Sequence, residues 1–428
     1  MGDPQELFSM EGDRDMIKTL VIAPVLTRSG YGEHGRFIVD ALSTRSDLFD
    51  LYVHPLHWGS SSWINTKDQK VPYYESLCAK REMYKGQYDL CIQVTIPNEW
   101  EKVGKCNIGI TAGVETDRIP DSWVHKSNMM DGIIFTSEHA QAGFLNKLYK
   151  QQNVSGDNVI ENKGISVDNT VVGYPVKDIV PCDLSDEIVL STDYNFLTIT
   201  QLAPRKNVEM LLKSFVETFK DKSVGLVCKM HHMNNSRPDW EKINNNLFNQ
   251  IRSIQKKCKI YWIHGAMSES EIHGLYLHPQ INSYISTTHG EGFGLPLFEA
   301  AYSGLPIAVT GWSGHLDFLR MTNDKGKKHD MYEKISYDLG NLQDAAKMGD
   351  ILTSDMKWAF PREKSLIKVM KNMISAKVAK ESVAKKLQTH LLDSFSKDKQ
   401  YSKIVSSCLS FYEKNDQWNN AKNEITEI

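Results

Sequence analysis

Along most of the chain, short runs of β-branched and apolar residues alternate with stretches in which apolar positions return every three or four residues. The first pattern is that of buried strands, the second that of helices packed on one face. Strands are expected over 18–23, 51–55, 88–94, 107–112, 132–136 and 170–174, with helices over 33–42 and 139–149 between them. Strands alternating with helices belong to parallel sheets covered on both faces. A polar, acidic stretch between Val176 and Asn195, with Pro181, Asp183, Asp186 and Asp193, reads as a connection. A second α/β series follows it, with strands expected over 196–200, 224–230, 259–264, 283–287 and 306–309 and a helix over 208–219. Ser268 and Glu271 have the spacing of a capping box, in which each satisfies a free amide near the other. Further on, Leu366, Val369, Met370 and Met373 recur at i, i+3, i+4 and i+7 and mark a buried helix face.

These patterns divide the chain into a leader over 1–16, a first doubly wound domain over 17–178, a linker over 179–194, a second such domain over 195–395 and a last helical segment over 396–428. Two such domains place a cleft between their strand ends, and clefts of this kind bind nucleotides.

Composition narrows the class. The 428 residues carry 50 basic and 53 acidic side chains, a net charge of −3, and 41% are hydrophobic. That is a globular chain with enough apolar material for two or three cores at roughly 150 residues each, which argues against disorder and fibrous repeats. No apolar run approaches the roughly 18 residues of a membrane-spanning helix. Asp3, Glu6, Glu11, Asp13 and Asp15 face a single Arg14 in the leader, the reverse of a secretion signal, and Glu6 stands where myristoylation wants Ser or Thr. The seven cysteines are odd in number and include no C-x-x-C pair, so free thiols in a reducing, cytoplasmic setting are expected, with Cys91 and Cys228 buried in strands. His231, His232 and His264 lack metal-ligand spacing, and no metal site is expected. Between Arg362 and Lys403 eleven basic residues face four acidic ones. That stretch is either a solvated helix surface or a place to meet phosphate on nucleic acid or lipid. Trp58 and Trp63 can line a cleft, pin a loop or pack in the core, and core packing is the first expectation.

The densest chemistry lies between His289 and Ala300. Glycines at 290, 292 and 294 permit close backbone approach to a ligand, Pro296 suits a first helical turn, and the helix start offers unpaired amides to an anion. Glu291 stays in the loop while Glu299 lies about one turn into the helix, so the two carboxylates flank the turn. Upstream, Arg205 and Lys206 follow a strand and precede a helix, a fixed pair of cations suited to a diphosphate that gains charge on leaving.

The glutamates eight apart within G-E-G-F-G-L-P-x-x-E-A resemble the E-x7-E motif of retaining glycosyltransferases of GT-B fold, the large family of sucrose synthase and bacterial mannosyltransferases. The resemblance implies two Rossmann-like domains facing across a cleft. It implies that Glu291 contacts the transferred sugar and Glu299 the nucleotide ribose, with Gly292 and the amides of Phe293, Gly294 and Leu295 at the donor phosphates. Arg205 and Lys206 match the family's basic pair, while Thr200 and Gln201 depart from its usual Gly and Arg. Gly30 and Gly32 resemble the glycine loop that closes on donor and acceptor. Glu115, Thr116 and Asp117 resemble a stretch of phage-type glycosyltransferases and fall on the acceptor or sugar side. The last segment is expected to return toward the first domain, as in this fold. A nucleotide-diphosphate sugar is the implied donor, no cofactor is required, and the acceptor is open among glycans, lipid-linked groups and modified DNA bases. Two other readings stay open. Gly30-x-Gly32-x-x-Gly35 also fits an NAD-linked oxidoreductase, although no acidic residue ends the following strand. Gln201 leaves room for a non-catalytic nucleotide-sugar-binding module.

Overall fold

The computed structural model describes residues 16–425 except 60, 65–69, 153–158, 234 and 324; all of the expected leader but Met16 lies outside them. The first lobe runs β1 (Ile17–Ala23), α1 (Gly30–Ser43), β2 (Phe49–Pro55), α2 (Val71–Met83), β3 (Leu90–Val94), β4 (Cys106–Thr111), α3 (Asp121–Ser127), β5 (Gly132–Phe135), α4 (Glu138–Leu145), β6 (Leu148–Gln152), β7 (Val159–Lys163) and β8 (Asn169–Val171). Six strands form one parallel sheet in the order β2-β1-β3-β4-β5-β8. Every residue of β3 and β4 is buried, which is why these runs read as continuously apolar and not as alternating.

The second lobe runs β9 (Tyr194–Gln201), α5 (Val208–Phe219), β10 (Val224–His231), α6 (Arg237–Ile243), α7 (Asn249–Arg252), β11 (Lys259–Ile263), α8 (Glu269–Tyr276), β12 (Ser283–Ser286), α9 (Leu295–Tyr302), β13 (Ile307–Thr310), α10 (Leu316–Leu319), β14 (Arg320–Thr322), β15 (Lys328–Asp330), β16 (Glu333–Ile335), β17 (Tyr337–Asn341) and β18 (Lys357–Pro361). Three helices close the chain: α11 (Glu363–Ser375), α12 (Lys377–Ser394) and α13 (Lys397–Ile425). The second parallel sheet has the order β11-β10-β9-β12-β13-β16. The capping box at Ser268 and Glu271 opens α8 as the spacing predicts.

The helix expected over 139–149 stops at Leu145. The N–H of Asn146 closes its last turn onto the Ala142 carbonyl, and the chain then pairs as the antiparallel β6 and β7. Trp63 also departs from expectation. It is 49% exposed and tied to Thr27 by a backbone bridge, while Trp58 packs on the Tyr31 ring at 4.3 Å. All seven cysteines are free, and Cys91 and Cys228 are fully buried.

One core joins the lobes. It unites Val21 and Ile108 of the first sheet with Phe293, Phe298 and Leu391 and with Ile404 and Cys408 of α13. Helix α13 thus lies against the first lobe, where Lys414 also pairs with Asp168 at 2.6 Å. A second core lies under α5 and α11, where Phe196, Phe215, Leu366 and Met370 meet. Met370→Ala empties a fully buried site there. It is expected to cost about 2–4 kcal/mol in denaturant unfolding, with the slope unchanged. Among the described residues no helix is long and apolar enough to cross a membrane.

Candidate functional site

In each sheet the chain leaves one strand, builds outward on one side, then returns to build on the other. The reversal falls between β1 and β3 in the first lobe and between β9 and β12 in the second. Loops at the carboxyl ends of the two strands diverge there and leave a crevice, the usual seat of ligands in open α/β sheets. The loop after β9 carries Arg205 and Lys206, and the loop after β12 carries Glu291.

Pro204, Arg205 and Lys206 form a single tight turn, and Asn207 ends it with φ 50° in the left-handed region, redirecting the chain into α5. Gly294 precedes α9 with φ 97°, a conformation that strains any residue with a Cβ. No side chain caps α9, so the amides of its first turn have no side-chain acceptor.

Glu291 is buried between the two cations. Lys206 Nζ lies 2.6 and 2.8 Å from its two oxygens, and Arg205 Nη1 lies 2.8 Å from Oε2 and 2.5 Å from the Gly290 carbonyl. Burial alone raises the Glu291 carboxyl, but Arg205 and Lys206 outweigh it and hold the group well below the usual carboxylate range. Burial, then the neighbouring Arg205, pulls Lys206 below the ordinary lysine value in spite of Glu291. The Glu291 N–H donates to Ser313 Oγ at 2.8 Å, and Ser313 itself stands at φ 90°. Ser313 carried no sequence signal. A strained serine braced against a buried acid is the kind of backbone outlier that marks a functional turn.

Glu299 faces away from this cluster. Its Oε2 accepts the Tyr276 hydroxyl at 3.0 Å, and its Oε1 lies 3.4 Å from Lys177 Nζ. A cavity of about 690 Å³ runs from Leu295 and Glu299 between α1 and α9 to Lys397 and Tyr401.

From the first lobe, Glu115 reaches Arg205 at 3.2 Å. Thr116 and Asp117 do not join it. The Thr116 hydroxyl donates to the Arg118 carbonyl at 2.7 Å, and Asp117 accepts the Lys357 N–H at 2.7 Å, fastening the lobes together. Gly30 opens α1 with free space around it, whereas the N–H of Gly32 already donates to the capping Ser29 hydroxyl. A Cβ at Gly292 would stand 2.9 Å from the Ala112 carbonyl oxygen, and the Gly292 carbonyl accepts the Ser137 hydroxyl at 2.6 Å. The close approach that this glycine permits is therefore to the other lobe's backbone. The Phe293 ring is core, packed on Tyr174, Phe298 and Phe318, so only its backbone is left to face a ligand. Among the described residues no group of three metal-ligating side chains stands together; His264 lies 3.4 Å from Asp239, which also accepts the His232 N–H.

A half-buried acid sits at the edge of this interface. Asp317 accepts the N–H of Glu138 from the other lobe at 2.6 Å, and burial pushes its carboxyl up to about 6. A carboxyl with a folded pKa above its unfolded value near 4 holds its proton more tightly when folded, so stability falls as pH rises through that window. Asp317→Asn removes the titration. Its unfolding free energy relative to wild type is expected to rise between pH 4 and 6 by about 1–3 kcal/mol and then level off. Parallel denaturation curves across that range check it.

No protein-family model matches the chain, and no curated protein matches it in sequence. Solved structures do resemble it. Anabaena Alr3699/HepE, solved in complex with UDP and glucose, superposes with a TM-score of 0.59 at 12% identity over 92% of this chain and 100% of that one. Sucrose-phosphate synthase from Thermosynechococcus elongatus gives 0.57 at 11% identity, covering 94% and 99% of the two chains. A UDP-forming alpha,alpha-trehalose-phosphate synthase from Burkholderia xenovorans gives 0.56 at 10% identity, covering 92% and 99%. At such identities the likeness is one of fold, and the fold is GT-B: two parallel-sheet α/β lobes facing across a cleft.

Proposed function

We propose that the protein is a retaining glycosyltransferase that moves a sugar from a nucleotide-diphosphate sugar to an acceptor hydroxyl. The observation that carries this reading is the pairing of half-buried Arg205 and Lys206 with buried Glu291 at the switch point beside the uncapped start of α9. A donor's diphosphate takes up Arg205, Lys206 and the first amides of α9, and the Glu291 carboxylate turns to the hydroxyls of the transferred sugar. Glu299 holds the ribose. The acceptor oxygen attacks the anomeric carbon as the bond from that carbon to the diphosphate oxygen breaks. The bonding pair leaves with the phosphate, and the acceptor's proton passes to a departing phosphate oxygen. Arg205 and Lys206 meet the growing negative charge, so no metal is needed in this scheme. Lobe contacts such as Ser137 to Gly292 and Asp117 to Lys357 keep water from the reacting carbon. The free thiols fit a cytoplasmic setting.

The UDP-bound and UDP-forming neighbours favour UDP-sugars as the first donors to try. Release of free nucleotide from such a donor, dependent on an acceptor screened among glycans, lipid-linked groups and DNA, tests the reading. A panel in which no donor yields nucleotide with any acceptor sinks it and favours a binding module. The oxidoreductase reading is weaker, since β2 ends in His54 and Pro55 without an acid for a ribose. A rise in melting temperature with NAD but with no UDP- or GDP-sugar would revive it.

A further inference from the structure

Between β8 and β9 the chain crosses from lobe to lobe, and one residue of that crossing, Lys177, reaches into the cavity beside α9. Its ammonium lies 3.2 Å from Glu33 of α1, 2.9 Å from Glu269 of α8 and 3.4 Å from Glu299 of α9. One cation thus gathers three carboxylates from both lobes. Glu33 has a second partner in Arg36 at 2.7 Å, and Glu269 is largely open to solvent. Glu299 is the most buried of the three, and the groups on its two oxygens are the Tyr276 hydroxyl and Lys177. Burial disfavours the charge on Lys177, but Glu33, Glu299 and Glu269 outweigh it and keep the side chain protonated.

A carboxylate that accepts two ribose hydroxyls must keep both oxygens in one plane and facing the sugar. With a hydroxyl on one oxygen and an ammonium on the other, the torsion of Glu299 is fixed before the nucleotide arrives. We propose that Lys177 is a positioning residue for the nucleotide: from the crossing between the lobes it orients Glu299 for the ribose. This inference rests on the donor reading of the site. Because the same ammonium is tied to α1, ribose recognition then depends on how the two lobes stand.

The test compares UDP with 2′,3′-dideoxy-UDP by calorimetry, with GDP and ADP run in parallel, on wild type, Lys177→Met and Lys177→Arg. Wild type is expected to prefer UDP over the dideoxy compound. Lys177→Met should weaken UDP by about tenfold, the worth of one charged hydrogen bond, with the dideoxy compound almost unaffected. Lys177→Arg should recover most of the loss. In a Glu299→Gln background the Lys177→Met effect should shrink to within about twofold, since coupled residues are not additive. Should Lys177→Met alone not fold, Lys177→Gln with Glu269→Gln removes one charge of each sign and allows the same comparison. Equal weakening of both compounds, or of neither, overturns the role given to Lys177 while leaving the donor site in place. Failure of wild type to bind any of the three diphosphates overturns the donor site and this inference with it.

Discussion

Replacing Lys206 by alanine is expected to lower kcat by about 10²- to 10³-fold, with a smaller rise in the donor KM. The reason lies in what the ammonium already does. It sits half-buried beside a second cation, so its charge is held at a cost that an incoming anion relieves. A diphosphate attached to a sugar relieves part of it, and the free diphosphate, which carries more charge on its terminal oxygens, relieves more. The interaction is therefore stronger in the transition state than in the ground state, which places its loss in kcat. Lys206→Arg should land in between, because a planar fork cannot take the same point position next to Arg205. Nucleotide release at saturating acceptor measures all three. A kcat for Lys206→Ala within about threefold of wild type would remove Lys206 from any role at the leaving group.

The alternation of apolar runs was enough to read two parallel sheets, because buried parallel strands are short, apolar throughout and flanked by turns. Helix α5, with apolar positions on one face, was legible to the residue. Helix α2 was not. Its buried positions are only Val71, Tyr74 and Leu77, and the second half of the helix, with Lys80, Arg81 and Glu82, adds no further buried position to extend the pattern. The ribbon β17–β18 was invisible too, since it joins a largely exposed strand to one 16 or more residues further along the chain. The site divides in the same way. Glu291, Arg205 and Lys206 sit in turns whose Gly, Pro and charge spacing is local, so sequence could nominate them. Lys177 and Ser313 owe their places to partners brought by the fold: the carboxylates around Lys177 lie at 33, 269 and 299, and Ser313 acts through the Glu291 amide. Thr116 and Asp117 show the converse. Their polar run suggests a ligand, but the Thr116 hydroxyl is taken up by the neighbouring Arg118 carbonyl and the Asp117 carboxylate by the Lys357 N–H of the other lobe.

That last point bears on how the cleft works. The loop of Glu291 meets the first lobe through Gly292 and Ser137, and Arg205 meets it through Glu115. Arg205, Lys206 and Glu291 are gathered by the second lobe itself, and the first lobe packs against them. On the proposed reading a donor meets Arg205, Lys206 and Glu291 on the second lobe, and the first lobe adds Glu115 and the Ala112 backbone beside Gly292.

Glu291→Ala should separate binding from turnover. Removing the carboxylate leaves two half-buried cations beside each other without their buried partner, so the variant should unfold at a lower denaturant concentration than wild type. Free nucleoside diphosphate supplies the missing negative charge. It should therefore bind Glu291→Ala at least as tightly as wild type and raise its melting temperature by more. Turnover should behave oppositely. The transferred sugar loses its carboxylate contact at the reacting end, and kcat should fall by about 10²-fold or more even with donor saturating. Glu291→Gln keeps the shape without the charge and should show the same split with a smaller loss of stability. If Glu291→Ala weakened free diphosphate as strongly as it weakened turnover, the carboxylate would belong to the framework of the phosphate site, and the sugar would have to be held by another residue, with Glu115 next in line across the cleft.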